Sequence, residues 1–434
     1  MPYSAFPDLW EYLKHTEKHI VMYGMGNGAD KILAVADAKG IEIEDFFASD
    51  GFVRGHSFHQ KRVLSYSEAK QKYGADNMIV LLSFATSLPD VMQTILHVSE
   101  ECELYAPDVP VFGDTLFDAA FYAAHRAEFD AARTLLADQE SVRVFDHIVR
   151  YKLTGDLKYL TAIENDPDES FGSILPCDSF RTAADLGAYN GDSARALAPY
   201  APNLQTLYAL EPDARNYRKL CAYAETEQAF KLIPLQCAAW SEDCVLRFDA
   251  SGNRNAGAAQ NTSTVLQART AKVTEVQARS VDSVLAGEAC DYIKFDVEGS
   301  EAQALAGCAA TVAAHKPALL VSCYHRSEDL FALPLLVHKM NPDYILREQN
   351  PFRIFVYANL ESRVRRCMER GAEGETLTEK EMKKQIQAMD KNRARYYEFY
   401  TGLKWGDKLN YDLCINTSDT VIKEIVPAIA KMLG

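Results

Sequence analysis

Three side chains have types and spacing suited to chemistry. Asp296 and Glu298 stand two residues apart in DYIKFDVEGSEAQALAGC, residues 291–308, just after the apolar run Tyr292 to Phe295. His325 closes a second apolar run, Ala318 to Cys323, through Tyr324. Two carboxylates this close can orient a ligand amine, bind a divalent ion, or hold a hydroxyl for attack. An imidazole with an ordinary pKa of about 6.5 is a candidate general base. Each has a plainer reading. Glu298 or Ser300 can simply cap the helix that Ser300 and Glu301 open, and a histidine at a strand end can be an ordinary loop residue.

The elements that must position them form an open α/β sheet, which keeps its ligand crevice at the C-terminal ends of its strands. The stretch 180–213, FRTAADLGAYNGDSARALAPYAPNLQTLYALEPD, reads as strand, glycine turn, helix, strand and acidic stop. Gly187 lets the backbone approach a ligand. Asp185 can accept a hydrogen bond from a cationic or amino group, and Glu211 can accept both hydroxyls of a ribose. The turn lacks the three-glycine fingerprint of dinucleotide enzymes, which favours S-adenosylmethionine over NAD. The alternative is a tight strand–helix turn with no ligand. Downstream, Phe230 to Gln236 reads as a strand leading into Cys237-Ala238-Ala239-Trp240, where small residues such as Ala238 leave room for a flat base. Residues 250 to 264, which include Asn261, are polar and glycine-rich and read as a loop over the sheet mouth between strands at Val245 to Phe248 and Val273 to Ala278.

Upstream, a short helix at Phe6 to Lys14 precedes strands at His19 to Tyr23, Ile41 to Ala48 and Met78 to Phe84, with a helix at Ile32 to Ala38. Residues 1–100 therefore read as a small Rossmann-like α/β domain. Gly24, Gly26 and Gly28 permit a phosphate cradle, although no Walker lysine motif is present and a structural turn is the plainer reading. Residues 101–177 read as a helical connector, a spacer or a cap on the next module. Residues 178–360 form the central module, with Tyr344 to Arg347 and Arg353 to Tyr357 as its last strands. Residues 361–434 change character, with Arg363, Arg365, Arg366 and Arg370 followed by a charged helix from Thr378 to Tyr400 and a final helix from Thr420 to Met432.

The 434 residues suffice for several domains, and 48% apolar composition is that of a water-soluble chain. A net charge of −15 argues against general binding to nucleic acid or anionic membranes. No apolar run reaches the roughly 18 residues of a membrane span, and no cationic-then-apolar leader opens the chain. The ten cysteines lack CxxC pairing and read as small core residues of a reducing compartment, not as a zinc site or a disulfide frame, and a cytoplasmic protein is expected.

From Asp185 to about Tyr357 the chain resembles the FkbM family of S-adenosylmethionine-dependent methyltransferases. The likeness rests on Asp185-Leu186-Gly187-Ala188-Tyr189-Asn190-Gly191-Asp192, Glu211-Pro212-Asp213, Ile293 through Glu301, Lys316-Pro317, and Ser322-Cys323-Tyr324-His325. The resemblance implies a seven-stranded class I methyltransferase fold and methyl transfer to a hydroxyl, often of a sugar or secondary metabolite. It implies a cofactor site at Asp185, Gly187, Tyr189, Asn190, Gly191, Glu211 and Ala238. It also implies a transfer site lined by Asp296 and Glu298, with Asn261 and Glu298 positioning the acceptor and Asp296 or His325 taking its proton. No metal is assigned. The first 175 residues resemble the Rossmann-like extension of some bacterial relatives.

The tail resembles the C-terminal part of cytidylate-kinase-like proteins, on residues 390–397, 400–407 and 410–413. The phosphate loop of a kinase is missing, so kinase activity is not expected. The expected partner is a small-molecule or sugar acceptor, with homo-oligomerisation open. The rival reading is a non-catalytic nucleotide or sugar-nucleotide binding protein, a sensor or scaffold.

Overall fold

The computed structural model describes residues 8–50, 53, 55, 57–84, 89–110, 112–163, 170–249, 273–348, 354–357, 382–383 and 413–416. Asn261, the polar loop around it, the arginine cluster and, apart from residues 382–383, the two tail helices lie outside the described residues. The chain divides into two compact units that interleave along the sequence. One comprises residues 9–107, 154–167 and 350–434, and the other residues 1–8, 108–153 and 168–349.

In the first unit, helix α1 (Leu9–His15) buries Leu9, Trp10 and Leu13. Strand β1 (His19–Tyr23), helix α2 (Asn27–Lys39), strand β2 (Asp45–Ala48), strand β3 (Leu64–Ser65), helix α3 (Tyr66–Tyr73), strand β4 (Met78–Leu82), helix α4 (Pro89–Glu101) and strand β5 (Glu103–Tyr105) follow. The strands form one sheet in the order β3-β2-β1-β4-β5, every pair parallel. All five residues of β4 are buried, the pattern of a parallel strand covered on both faces. The second strand is shorter than the Ile41 to Ala48 expected. Gly40 ends α2 in a left-handed turn, and Ile41 still donates its N–H to Ala36, so pairing begins only at Asp45. At the glycine cluster, a Cβ on Gly28 would stand 2.0 Å from the carbonyl oxygen of Ser83. That glycine lets α2 pack onto the end of β4, a structural duty.

The second unit holds α5 (Ala119–Ala124), α6 (Arg126–Thr134) and α7 (Gln139–Thr154). These precede β6 (Thr182–Leu186), α8 (Asp192–Leu197), β7 (Thr206–Leu210), α9 (Ala214–Thr226), β8 (Lys231–Leu235), β9 (Ala238–Ala239), β10 (Cys244–Asp249) and β11 (Val273–Arg279). Then come α10 (Val281–Leu285), β12 (Tyr292–Phe295), α11 (Glu301–Ala306), α12 (Ala309–His315), β13 (Ala318–Val321) and α13 (Asp329–Met340). The main sheet runs β8-β7-β6-β12-β13, parallel throughout, and β9-β11-β10 form a smaller sheet. The strand order reverses between β6 and β12, which opens a crevice outside their C-terminal ends.

The core of this unit includes Leu186, Leu210, Ile293, Phe295, Leu333 and Val337. A second cluster joins Phe117, Tyr122, Phe129 and Phe145 to Leu330 and Phe331 of α13. Between 101 and 177, Glu103–Tyr105 is a strand of the first sheet and residues 112–118 are not helical, so the helix expected from Phe112 begins only at Ala119; α5, α6 and α7 share this unit's core. Cys237, Cys290 and Cys308 are buried there, and they are free, as are Cys102, Cys177, Cys221, Cys244 and Cys323.

The end of the central module differs from expectation. Among the described residues the main sheet has five strands. Tyr344 to Arg347 is no strand of it. Leu346 makes one isolated bridge to Leu136, and the Tyr344 hydroxyl donates to the Pro317 carbonyl at 2.8 Å. Instead of joining the main sheet, β14 (Ile354–Tyr357) pairs in parallel with β15 (Leu413–Asn416), which satisfies its backbone elsewhere. Among the described residues no helix is long and apolar enough to cross a membrane.

Candidate active site

The turn after β6 is tied down by main-chain contacts. Gly187 and Ala188 both donate to the Leu210 carbonyl at 3.0 Å, and Asp296 donates to Leu186 at 3.0 Å. Gly187 has φ +81°, and a Cβ there would meet the Asp296 carbonyl oxygen at 1.9 Å. The absent side chain thus serves first to bring the ends of β6 and β12 together. Tyr189 takes the left-handed region at φ 47° and donates its N–H to Glu211 Oε2 at 2.9 Å. Asp213 donates its N–H to Glu211 Oε1 at 2.9 Å. Each carboxylate oxygen offers two acceptor positions, so one on each remains after these bonds. Burial pushes the Glu211 carboxyl up to about 7, its two backbone donors pulling the other way. The Asn190 side-chain oxygen accepts from Arg195, and Lys219 Nζ stands 5.4 Å from the centre of the Tyr189 ring.

The second half of the site gathers at the ends of β12 and β13. His325 is 3% exposed. Its Nε2 lies 3.5 Å from Asp296 Oδ1 and 3.6 Å from Glu298 Oε2, and its Nδ1 lies 2.9 Å from Glu301 Oε1. Glu301 is 1% exposed and also accepts the Val297 N–H at 3.0 Å. Glu298 occupies the left-handed region at φ 55°, an uncommon conformation for a side-chain-bearing residue. Burial pushes its carboxyl up to about 7, with His325 opposing and Asp296 and Glu301 adding to the rise. Burial alone lowers His325, but Glu301, Glu298 and Asp296 outweigh it and hold the imidazole above its ordinary value. The Tyr324 hydroxyl donates to Asp296 Oδ1 at 3.2 Å. From the segment before α5, Phe112 donates its N–H to the His325 carbonyl at 3.3 Å and sets its ring edge-on to the imidazole, centres 6.0 Å apart.

Lys294 joins the halves. Its Nζ lies 3.4 Å from Asp185 Oδ1 and 3.5 Å from Asp296 Oδ2, in the interior of the sheet. Burial lowers this ammonium, but the flanking carboxylates prevail and keep it charged. Asp185 is therefore engaged from below by Lys294.

Of the residues singled out in the sequence, the structure brings Gly187, Tyr189, Glu211 and Asp296 together around one turn, with Asp185 beneath and Asn190 and Gly191 continuing into α8. Asp296, Glu298 and His325 form one cluster. Ala238 belongs to the smaller sheet, where it is buried and pairs with Ala278. Lys294, Glu301, Tyr324 and Phe112 carry no role in the sequence reading. A lysine inside the apolar strand YIKF was the available signal for the first. Glu301 looked like part of a helix start, and nothing local marks Phe112.

Comparison with known proteins adds an independent observation. Residues 185–347 match the family model described as methyltransferase FkbM domain. Residues 330–419 match that of the cytidylate kinase-like family. The two overlap on α13, whose Leu333 and Val337 pack into the core of the main sheet. No curated protein matches the chain. The fold is similar to the crystal structure of methyltransferase FkbM from Methylobacillus flagellatus, at 21% identity and TM-score 0.58, covering 76% of this chain and 87% of that one. An uncharacterised protein from Eubacterium ventriosum is 25% identical over 30% of this chain and 62% of that one, with a TM-score of 0.18.

Proposed function

We propose that this chain is a methyltransferase that uses S-adenosylmethionine and methylates a hydroxyl of a sugar or small metabolite, a reading supported by the match of residues 185–347 to the methyltransferase FkbM domain. What supports the cofactor is Glu211, a buried carboxylate at the end of β7 with one acceptor position left on each oxygen. It would accept the ribose hydroxyls, and the turn from Gly187 to Gly191 would line the methionine part. When bound, the cofactor supplies a methyl group on a sulfonium sulfur, which departs as a neutral thioether once the acceptor oxygen attacks.

The observation that carries hydroxyl chemistry is the convergence of Asp296 and Glu298 on His325 Nε2, with Glu301 behind the ring. In-line transfer demands that the acceptor oxygen be held close and lose its proton. Asp296 and His325 form the group that receives the hydroxyl and eases that loss. Glu301 fixes the imidazole, and Lys294 fixes Asp296.

The test is methyl transfer by the purified full chain from labelled S-adenosylmethionine to a panel of sugars and hydroxylated metabolites. Cofactor affinity is followed separately by calorimetry. We expect Asp296→Asn and His325→Gln each to lower turnover by roughly 10²- to 10⁴-fold while cofactor affinity stays within a few-fold. Unchanged turnover in both variants would overturn the assignment.

A further inference from the structure

The same cluster has the composition of a metal site. Among the described residues, one ligand atom each from Asp296, Glu301 and His325 falls within a set no more than 4.8 Å across. Ligands about 2.1 Å from a common ion stand about 3 to 4.2 Å apart, so small side-chain adjustments close the set around one.

A second observation is independent of that clustering. Glu301 is 1% exposed, and its Oε2 has no hydrogen-bond partner. The Nδ1 of buried His325 also lacks an aligned hydrogen bond, although Glu301 Oε1 is 2.9 Å away. Leaving a carboxylate oxygen buried and unsatisfied is costly. The neighbours complete the picture. Lys294 and Tyr324 occupy different oxygens of Asp296, Oδ2 and Oδ1, and Glu298 adds a third carboxylate 3.6 Å from the imidazole.

We propose that Asp296, Glu301 and His325 bind one divalent first-row cation, with Mn²⁺ or Zn²⁺ better suited than Mg²⁺ to a set that includes an imidazole. Three protein ligands leave coordination positions open to a hydroxyl or water. Resting on the methyl-transfer reading, the consequence is that the ion, held by Asp296, Glu301 and His325, would receive the acceptor oxygen, whose proton then passes to the neighbouring Glu298 carboxylate or to water rather than to the ligating groups.

The test titrates Mn²⁺ alone into the full chain, without cofactor or acceptor, and reads free Mn²⁺ by electron paramagnetic resonance. We expect one Mn²⁺ per chain, displaced by Zn²⁺, and an affinity loss of at least about tenfold in Asp296→Asn and in Glu301→Gln. Asp296 is partly exposed, so its variant is the safeguard should the buried Glu301→Gln chain fail to fold. Absence of stoichiometric binding by the wild-type chain at about millimolar Mn²⁺, or binding unaltered in Asp296→Asn, overturns the site. Calorimetry with S-adenosylmethionine keeps the two readings apart. A chain that binds Mn²⁺ but not the cofactor upholds the metal site and sinks the methyl-transfer reading. One that binds the cofactor but no metal does the reverse.

Discussion

At the residue scale the two halves of the site differ in how much they disclose. Asp296, Glu298 and His325 could be picked out because carboxylates and an imidazole directly after apolar runs land at strand ends. Lys294 and Glu301 could not. A lysine in a strand normally reads as a solvated face, and a glutamate at the start of a helix normally reads as a favourable charge for the helix end. Only the fold shows that both point into protein.

Glu211 gives a prediction at this scale. Its carboxyl sits near 7 in the folded chain and near 4.5 in the unfolded one, with burial as the main cause. A raised acid of this kind contributes stability that is fully present below about pH 4.5 and is lost as pH rises through about 7. Urea unfolding across that interval should therefore show the wild-type chain losing up to about 3 kcal/mol relative to Glu211→Gln. Parallel curves for the two proteins would rule out the buried-acid account.

At the scale of elements, strands with continuous apolar runs were readable, because a parallel strand covered on both faces needs such a run. The helices around Phe129 and Phe145 were also readable as helices. What failed was Tyr344 to Arg347. Its Tyr344 hydroxyl goes to the Pro317 carbonyl, and Leu346 makes a single bridge to Leu136 in place of a strand pairing.

Helix ends offer a direct check. Asp213 caps α9, accepting from the N–H groups of Arg215 and Asn216, both at 2.9 Å. Asp213 is 3% and Asn216 2% exposed, so the Asn216 donor has no ready access to water once the carboxylate is gone. Asp213→Ala should cost about 1 to 2 kcal/mol in chemical denaturation. Because Glu211 is held in part by the Asp213 N–H, which the substitution keeps, cofactor affinity should change less than stability does.

At the scale of the whole molecule, the α/β class and the repeated Rossmann-like plan were legible, whereas the boundaries were not. Contacts between distant segments leave no local mark. Phe117, Phe129 and Phe145 look like the filling of a separate helical spacer until their packing on Leu330 and Phe331 is seen. A fragment of residues 178–360 strips that cover from α13. It should aggregate or melt without cooperativity, whereas a fragment of residues 108–349 should show a cooperative thermal transition by circular dichroism. Equal behaviour of the two fragments would show that the aromatic cluster is dispensable.

The interleaving of the two units also bears on biogenesis. A nascent chain leaving the ribosome exposes Phe129 and Phe145 long before translation reaches Phe331, an interval on the order of tens of seconds at ordinary synthesis rates. Those rings are greasy, unshielded and already helical in tendency during that wait. Chaperone dependence should therefore concentrate on this early segment, and slowing translation downstream of it should worsen the yield of native protein.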